Sequence, residues 1–275
     1  MAASLAAVEV RRLEEEFNPM NTAGSLNRLN EARELSDPEF YQVLEHAWQV
    51  SELTGGGLNI FLGYLERAYG FERLFPQPPE AGAVQEMILA LQRASLQFVP
   101  ESNQVRIPND AFAVSLTGVQ EGYVADQVLA HLAYSGVSGA KVEVGRHVAC
   151  GDSPDGLGWP IEVDNPQSGE VIVRLYLEHC GVATASVRDQ AYSYRDETYY
   201  NHLDPATGRP ARALSLVTVV APSCELAGGL AQGIFVMEPE AGLSLLNALP
   251  EVDGMLVDPE GRIAMSDSLF IWIGE

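Results

Sequence analysis

Two glycines stand side by side inside an apolar segment, in the run TVVAPSCELAGGLAQGIFVM, Thr218 to Met237. The β-rich stretch ARALSLVTVVAP ends at Ala221-Pro222, and a helix is expected from near Ser223. Within it, Gly228 and Gly229 each cost the helix about 1 kcal/mol relative to alanine. Small residues at Ala227, Gly228 and Gly229 make sense where another backbone or a ligand comes close, and spacing alone favours close helix packing.

The rest of the chain sorts into a helical beginning and a mixed remainder. In the first helix, Leu5, Val8, Leu13 and Phe17 fall near one face. SDPEFYQVLEHAWQVSEL is the clearest helix: Ser36 or Asp37 caps it, Pro38 suits its first turn, and Gly55 to Gly57 end it. Phe40, Val43, Leu44, Ala47, Trp48, Val50 and Leu53 form its apolar stripe. After the proline-rich FPQPPEAG, AVQEMILALQRAS is a further helix and LQFVPESNQVRIPNDAFAVSL reads as strands. GYVADQVLAHLAYSGV is a helix, GAKVEVGRHVACG a strand, and GWPIEVDNP the start of another. EVIVRLYLEHCGVATASV is strand-rich, PEAGLSLLNAL a short helix, and DGMLVDPEGRIAMSDSL a hairpin turning at Asp258 to Gly261. FIWIGE reads as a closing strand. Helices first and strands mixed with helices later predict an α+β fold, a mixed sheet with packed helices.

Charge narrows the partners. With 38 acidic against 16 basic residues the chain carries -22, and Lys141 is the sole lysine. Such a surface repels nucleic acid and anionic lipid. It suits a cationic partner or a divalent metal, although solubility is the plainer reading. Cys150, Cys180 and Cys224 lie far apart, a spacing for buried thiols rather than a disulfide framework or zinc site. No apolar run has the length of an integral membrane segment. The opening residues form an amphipathic pattern without the basic, apolar, small order of a signal peptide.

Two further stretches carry chemistry. In SLTGVQEGYVADQ, Ser115 to Gln127, a strand runs through a glycine turn into a helix. Gly118 and Gly122 bring backbone amides together at that helix's start, an arrangement able to hold a phosphate, although it is neither a Walker loop nor a GxGxxG fingerprint. In NHLDPATGRP, His202 is a candidate base, Asp204 a loop-orienting acceptor and Arg209 a phosphate contact. By local chemistry the same loop is a turn: Asp-Pro begins it and Thr-Gly supplies the left-handed residue.

These three stretches, in this order, resemble the ApbE family of FAD:protein FMN transferases. HLDPATGRP is similar to the family's His-x-x-Asp-Pro-x-Thr-Gly-x-Pro motif, with one residue fewer between His and Asp. SLTGVQEGYVAD resembles its Leu-Gly-Gly-Ile-Ala-Lys-Gly-Tyr segment, and VVAPSCELAGGLAQGIFVM its Ala-Asp-Ala-Leu-Ser-Thr-Ala-Leu-Phe-Val-Met segment. The resemblance implies one ApbE-like, T-fold-like domain over 1–275, with helices in 1–100 and a β-rich flavin cleft in 101–275. It implies FAD in that cleft and a flavoprotein target or electron-transfer partner. Its relatives are usually exported, which implies a periplasmic setting. The implied cofactor-binding residues are Thr117, Gly118, Glu121, Gly122, Tyr123, Asp126, Gly145, Thr184, His202, Asp204, Thr207 and Gly208, with His202 also the candidate catalytic residue. Trp159 persists as well.

The family's Mg²⁺ site does not carry over. Its metal-binding aspartate falls on Gly228 and its metal-binding threonine on Gln232; its glycine-segment lysine falls on Glu121. Arg146 replaces an aspartate beside Gly145, and Asn59 replaces another. Mg²⁺ requires hard oxygen ligands, commonly a carboxylate, so no metal residues are assigned. The expectation is a divergent ApbE-like protein with a flavin- or nucleotide-related binding or accessory role, without Mg²⁺-dependent FMN transfer. The alternative is an active transferase with a rebuilt metal site, Glu121 or Glu225 supplying a ligand. A third reading is a different enzyme using His202 with Glu121 or Asp126 as base and acid.

Overall fold

The computed structural model describes residues 2–71, 73–137 and 139–274. Helix α1 (Ala2–Phe17) buries Leu13 and Phe17 as expected, but Val8 is 67% exposed. The buried face runs through Ala6, Leu13 and Phe17; at about 100° per residue Val8 points away from it. The side chain of Leu5 lies outside the described residues. Helix α2 (Ser25–Ala32) and strand β1 (Glu34–Ser36) lead to α3 (Pro38–Leu53). Asp37 rather than Ser36 caps α3, its carboxylate accepting from the N–H groups of Glu39 and Phe40. Phe40, Val43, Leu44, Ala47 and Val50 are buried, whereas Leu53, the last residue of the helix, is exposed.

Helices α4 (Gly63–Tyr69) and α5 (Ala81–Leu91) complete the helical beginning. The next stretch holds only two short strands, β2 (Gln97–Val99) and β3 (Gln104–Arg106), which pair with β1 in the order β1-β3-β2. Pro100 and Pro108 flank them, and a residue without an N–H cannot extend a ladder. Helix α6 (Gln120–Tyr134) follows.

The single strand expected over GAKVEVGRHVACG is instead a hairpin of β4 (Lys141–Val144) and β5 (His147–Cys150). Gly145, at φ 59°, makes the turn. Then come β6 (Trp159–Asp164), β7 (Val171–Leu177), β8 (Cys180–Ser186), β9 (Tyr192–Tyr194), β10 (Glu197–Tyr199) and β11 (Leu216–Ala221). Helices α7 (Cys224–Phe235) and α8 (Pro239–Ala248) precede β12 (Asp253–Val257) and β13 (Ile263–Met265), the hairpin expected at Asp258 to Gly261. The chain's last stretch is a 3-10 turn, Leu269–Trp272, not a strand. The Ser268 hydroxyl and the Trp272 indole N–H both donate to the Asp253 carboxylate and hold it in that shape.

A six-stranded sheet in the order β13-β12-β11-β8-β5-β4, antiparallel at every pairing, is the centre of this α+β fold. Alternation along β11 sends Val217, Val219 and Ala221 into the core beneath the helices. Leu216 and Val220 go to the opposite face, against Val163, Val173, Leu175 and Leu177 of the β6–β7 hairpin. Cys150, Cys180 and Cys224 are buried and unpaired; burial pushes the Cys150 thiol up to about 12 and Cys180 to about 11. Among the described residues no helix is long and apolar enough to cross a membrane.

Helix α7 lies against this sheet with its backbone in contact with its neighbours. A β-carbon on Gly181 of β8 would stand 2.1 Å from the Cys224 nitrogen, and one on Gly122 of α6 2.3 Å from the Cys224 oxygen. The Asp126 carboxylate accepts from the N–H groups of Cys224 and Glu225, each at 2.9 Å, and so caps α7 from outside. Glu225 is 12% exposed, with one oxygen 3.3 Å from His46 Nδ1 and the other without a partner.

Burial pushes the Glu225 carboxyl up to about 7, the His46 imidazole drawing it back. A carboxyl raised above its ordinary value near 4.5 contributes stability that is complete below that value and lost as pH rises through about 7. Glu225→Gln should therefore gain about 1–3 kcal/mol over the parent at pH ~8 and little at pH ~4, read by urea unfolding. Equal gains at both pH values would contradict this placement of the charge.

Candidate functional site

A cavity of about 510 Å³ opens beside α7. Its walls come from α4, the segment before α6, the β4–β5 turn, β8 and the residues around 189 and 201. Helix α7 contributes Gly228, Ala231 and Gln232, the i, i+3, i+4 face of the helix. The volume lies within the usual range of small-molecule and cofactor sites.

The segment before α6 is fixed from α4. Ser115 Oγ donates to Glu66 Oε2 at 2.7 Å and Thr117 Oγ1 to the same oxygen at 3.2 Å. Gly118 turns at φ 89°; a β-carbon there would meet Gln232 Cβ at 2.6 Å. From the sheet, Thr184 Oγ1 stands 2.9 Å from Thr218 Oγ1.

A polar chain crosses the wall. Arg146 Nε is 2.8 Å from Asp189 Oδ1. Asp189 Oδ2 is 3.0 Å from His202 Nε2, and His202 Nδ1 is 2.5 Å from Gln232 Oε1. The Ser186 N–H donates to Asp189 Oδ2 at 2.7 Å, and its nitrogen lies 3.1 Å from His202 Nε2. His202 is 3% exposed and its ring lies 4.3 Å from that of Phe235. Both its nitrogens have protein partners, so in this arrangement it braces Gln232 and Asp189.

Beside this chain is a second pair. His147 Nδ1 stands 2.9 Å from Glu121 Oε2, off the line of a hydrogen bond, and has no other partner. The His147 ring packs over Gly228: a β-carbon on that glycine would lie 2.6 Å from Nε2 and 2.3 Å from the Gly118 oxygen. A β-carbon on Gly145 would lie 2.7 Å from Glu121 Oε2.

Of the residues singled out in the sequence, Thr117, Gly118, Glu121, Gly145, Thr184 and His202 line this cavity, as do Gly228 and Gln232. The others have packing and capping partners around it. Gly122 meets the Cys224 carbonyl. The Tyr123 hydroxyl donates to Glu39 at 3.0 Å, and Asp126 caps α7. Asp204 accepts from the Ala206 N–H and the Thr207 hydroxyl, and Gly208 turns at φ 67° against Val84 and Ile88. That loop is thus the turn its local chemistry described. Glu225, weighed as a metal ligand, faces His46 instead.

His147, Asp189, Glu66, Arg67 and Arg73 also line the cavity and were not singled out. His147 had a local signal: once Gly145 is read as a hairpin turn, the residues after it begin a new strand at the site. Asp189 and Glu66 had none, because their partners are distant in sequence. Three arginines, Arg67, Arg73 and Arg146, share the lining with three acids, Glu66, Glu121 and Asp189. The cavity is thus far less acidic than the chain as a whole, at -22.

The ApbE family matches residues 2–256 of the chain. The chain is similar to the FAD:protein FMN transferase of Vibrio cholerae serotype O1, at 29% identity over 87% of this chain and 75% of the relative. It is similar to the Haemophilus influenzae FAD:protein FMN transferase at 26% identity, over 80% of this chain and 68% of the relative. The fold matches the crystal structure of the ApbE protein of Thermotoga maritima with a TM-score of 0.92 and 22% identity, over 100% of this chain and 91% of that one. It matches the flavin transferase ApbE of Vibrio cholerae with a TM-score of 0.83 and 22% identity, over 98% and 90%.

The two central glycines of α7 should respond differently to a methyl group. Either change to alanine gains about 1 kcal/mol of helix propensity. At Gly228 the new carbon meets a backbone oxygen, which cannot yield; at Gly229 it meets the end of the Val50 side chain at 3.0 Å. Gly228→Ala should lose a net ~1–2 kcal/mol. Gly229→Ala should stay within about 1 kcal/mol of the parent in urea unfolding. Equal effects would contradict the close approach of Gly118 to α7.

Proposed function

Because the chain belongs to the ApbE family, we propose that its cleft binds FAD and transfers FMN to a hydroxyl of a partner flavoprotein. The cavity itself carries this reading: three arginines balance its three acids, so it is far less hostile to an anion than the rest of a chain at -22. Arg67 is held by Asn27 Oδ1 at 2.9 Å and Arg73 by the Arg67 carbonyl at 3.1 Å, so both guanidiniums are oriented before a ligand arrives.

In such a transfer the acceptor oxygen attacks the phosphorus on the flavin side of the pyrophosphate. The bond from that phosphorus to the bridging oxygen breaks, AMP leaves, and the hydroxyl proton passes to a cleft carboxylate or to water. The barrier is mainly one of position and charge. On this reading Thr117, Gly118, Glu121, Gly145 and Thr184, which line the cavity, are the residues that would touch the nucleotide. His202, enclosed beneath them, acts as a positioning residue for Gln232 and Asp189.

Mg²⁺ does not fit the residues at this corner. Gly228 has no side chain and no room for one, and the Gln232 carbonyl is committed to His202. Among the described residues no group of three or more His, Cys, Asp or Glu is arranged to hold a metal. No step above is routed through a metal. The same observation favours a second reading, a flavin-binding or accessory role in flavoprotein or electron-transfer assembly without transfer.

The two readings separate in one experiment. Purified chain incubated with FAD and an acceptor flavoprotein domain should retain FAD and give an acceptor heavier by one FMN residue in mass spectrometry. Bound FAD with an unmodified acceptor would assign the accessory role. A chain that retains no FAD would overturn both.

A further inference from the structure

We infer that this cleft takes the pyrophosphate of its flavin nucleotide without a divalent cation, the corner for the ion being filled by the His147–Glu121 pair. The inference rests on the FAD-binding reading above.

Three observations carry it. The first is steric. The site of a side chain on Gly228 is occupied twice, by the Gly118 oxygen at 2.3 Å and by His147 Nε2 at 2.6 Å. A carboxylate cannot be added to α7 there without moving backbone. The second is fit around the pair. Gly145 leaves just the space that Glu121 Oε2 fills, Gly228 the space that the His147 ring fills, and Gly118 turns at a positive φ between them. The backbone is moulded to an imidazole and a carboxylate. The third is an open valence. His147 is 8% exposed and lines the cavity, yet its Nδ1 has no hydrogen-bond partner, although Glu121 Oε2 is 2.9 Å away. A buried polar nitrogen in that condition is destabilising, and a small shift of Glu121 or the arrival of a phosphate oxygen would relieve it. Glu121 is nearly half exposed and has room to make that shift.

Charge compensation then falls to the arginines. Arg146 stands next to His147 in the β4–β5 turn, and Arg67 and Arg73 enter from α4 and just beyond it. Guanidinium groups meet phosphate oxygens with paired N–H donors and stay charged throughout the ordinary pH range. A pyrophosphate in this cleft would therefore meet guanidinium groups and a ring nitrogen; the corner's one carboxylate, Glu121, stands 2.9 Å from His147, and Gly228 offers no side chain to complete a set of hard oxygen ligands.

The test is calorimetric titration of FAD into the full chain, once with EDTA and once with Mg²⁺ and no chelator. The expected result is binding of equal affinity, within about twofold, in both. His147→Ala should weaken FAD binding in EDTA by about tenfold or more, the loss of one hydrogen bond to a charged group. His147→Asn, which keeps an N–H, should restore part of it. Binding that needs Mg²⁺, or that His147→Ala leaves unchanged, overturns the inference while leaving the FAD-binding reading intact. Absence of FAD binding in both buffers overturns both. The metal comparison uses the unaltered chain, so it decides the matter even if a variant fails to fold.

Discussion

Helix α7 meets its neighbours backbone to backbone, and the rest of the molecule is arranged around that contact. Gly181 of β8 and Gly122 of α6 both abut Cys224 at the start of the helix, Gly118 abuts Gly228 in its middle, and Gly57 abuts Gly233 near its end. Every one of these approaches would be blocked by a β-carbon. Where the helix lies close to β8, small residues such as Ala183 and Ala227 are buried in the core. Further along the core, Phe17 of α1 and Phe40 of α3 stack at 6.1 Å. Two adjacent glycines weaken a helix by about 2 kcal/mol in isolation. Here that loss is offset by packing on several sides and by the Asp126 and Ser223 caps.

The same close approach shapes the cleft. Where α7 touches the turn at Gly118, there is no depth for a side chain on the helix, and the corner is lined by backbone. Into it come His147 and Glu121 from the sheet and from α6. One turn further along, Gln232 reaches His202, and through Asp189 the chain of contacts ends at Arg146, beside His147. The two networks thus begin and end at adjacent residues. The cleft's chemistry is that of guanidinium, imidazole, carboxylate and amide groups beside a run of glycines.

Much of this was legible in the sequence because it is local. The α7 unit, the capped helix α3 and the hairpin at Asp258 to Gly261 each follow from residues a few positions apart. So did the cleft segments around Gly118, Gly145 and Gln232, through family resemblance. What was not legible depends on distance or on one turn. Gly145 splits an expected strand in two, and with it His147 moves from a strand interior to a site. The 3-10 turn at the end of the chain is set by Asp253, about twenty residues earlier. Glu66, which fixes Ser115 and Thr117, lies some fifty positions away from them. The loop from Asp204 to Gly208 shows the opposite case: its residues match a family motif, and their visible work is to bond one another and to pack on α5.

If His147 and Glu121, and no metal ion, hold the corner between Gly118, Gly145 and Gly228, a flavin nucleotide bound in the cleft leaves that pair in place. The most direct measurement is a crystal structure of the chain grown with FAD and Mn²⁺, with anomalous scattering recorded for the metal. The pyrophosphate is expected within hydrogen-bonding distance of His147 and the cleft arginines, with no anomalous peak at the corner. A Mn²⁺ peak bridging the pyrophosphate and α7, with His147 swung aside, would contradict it.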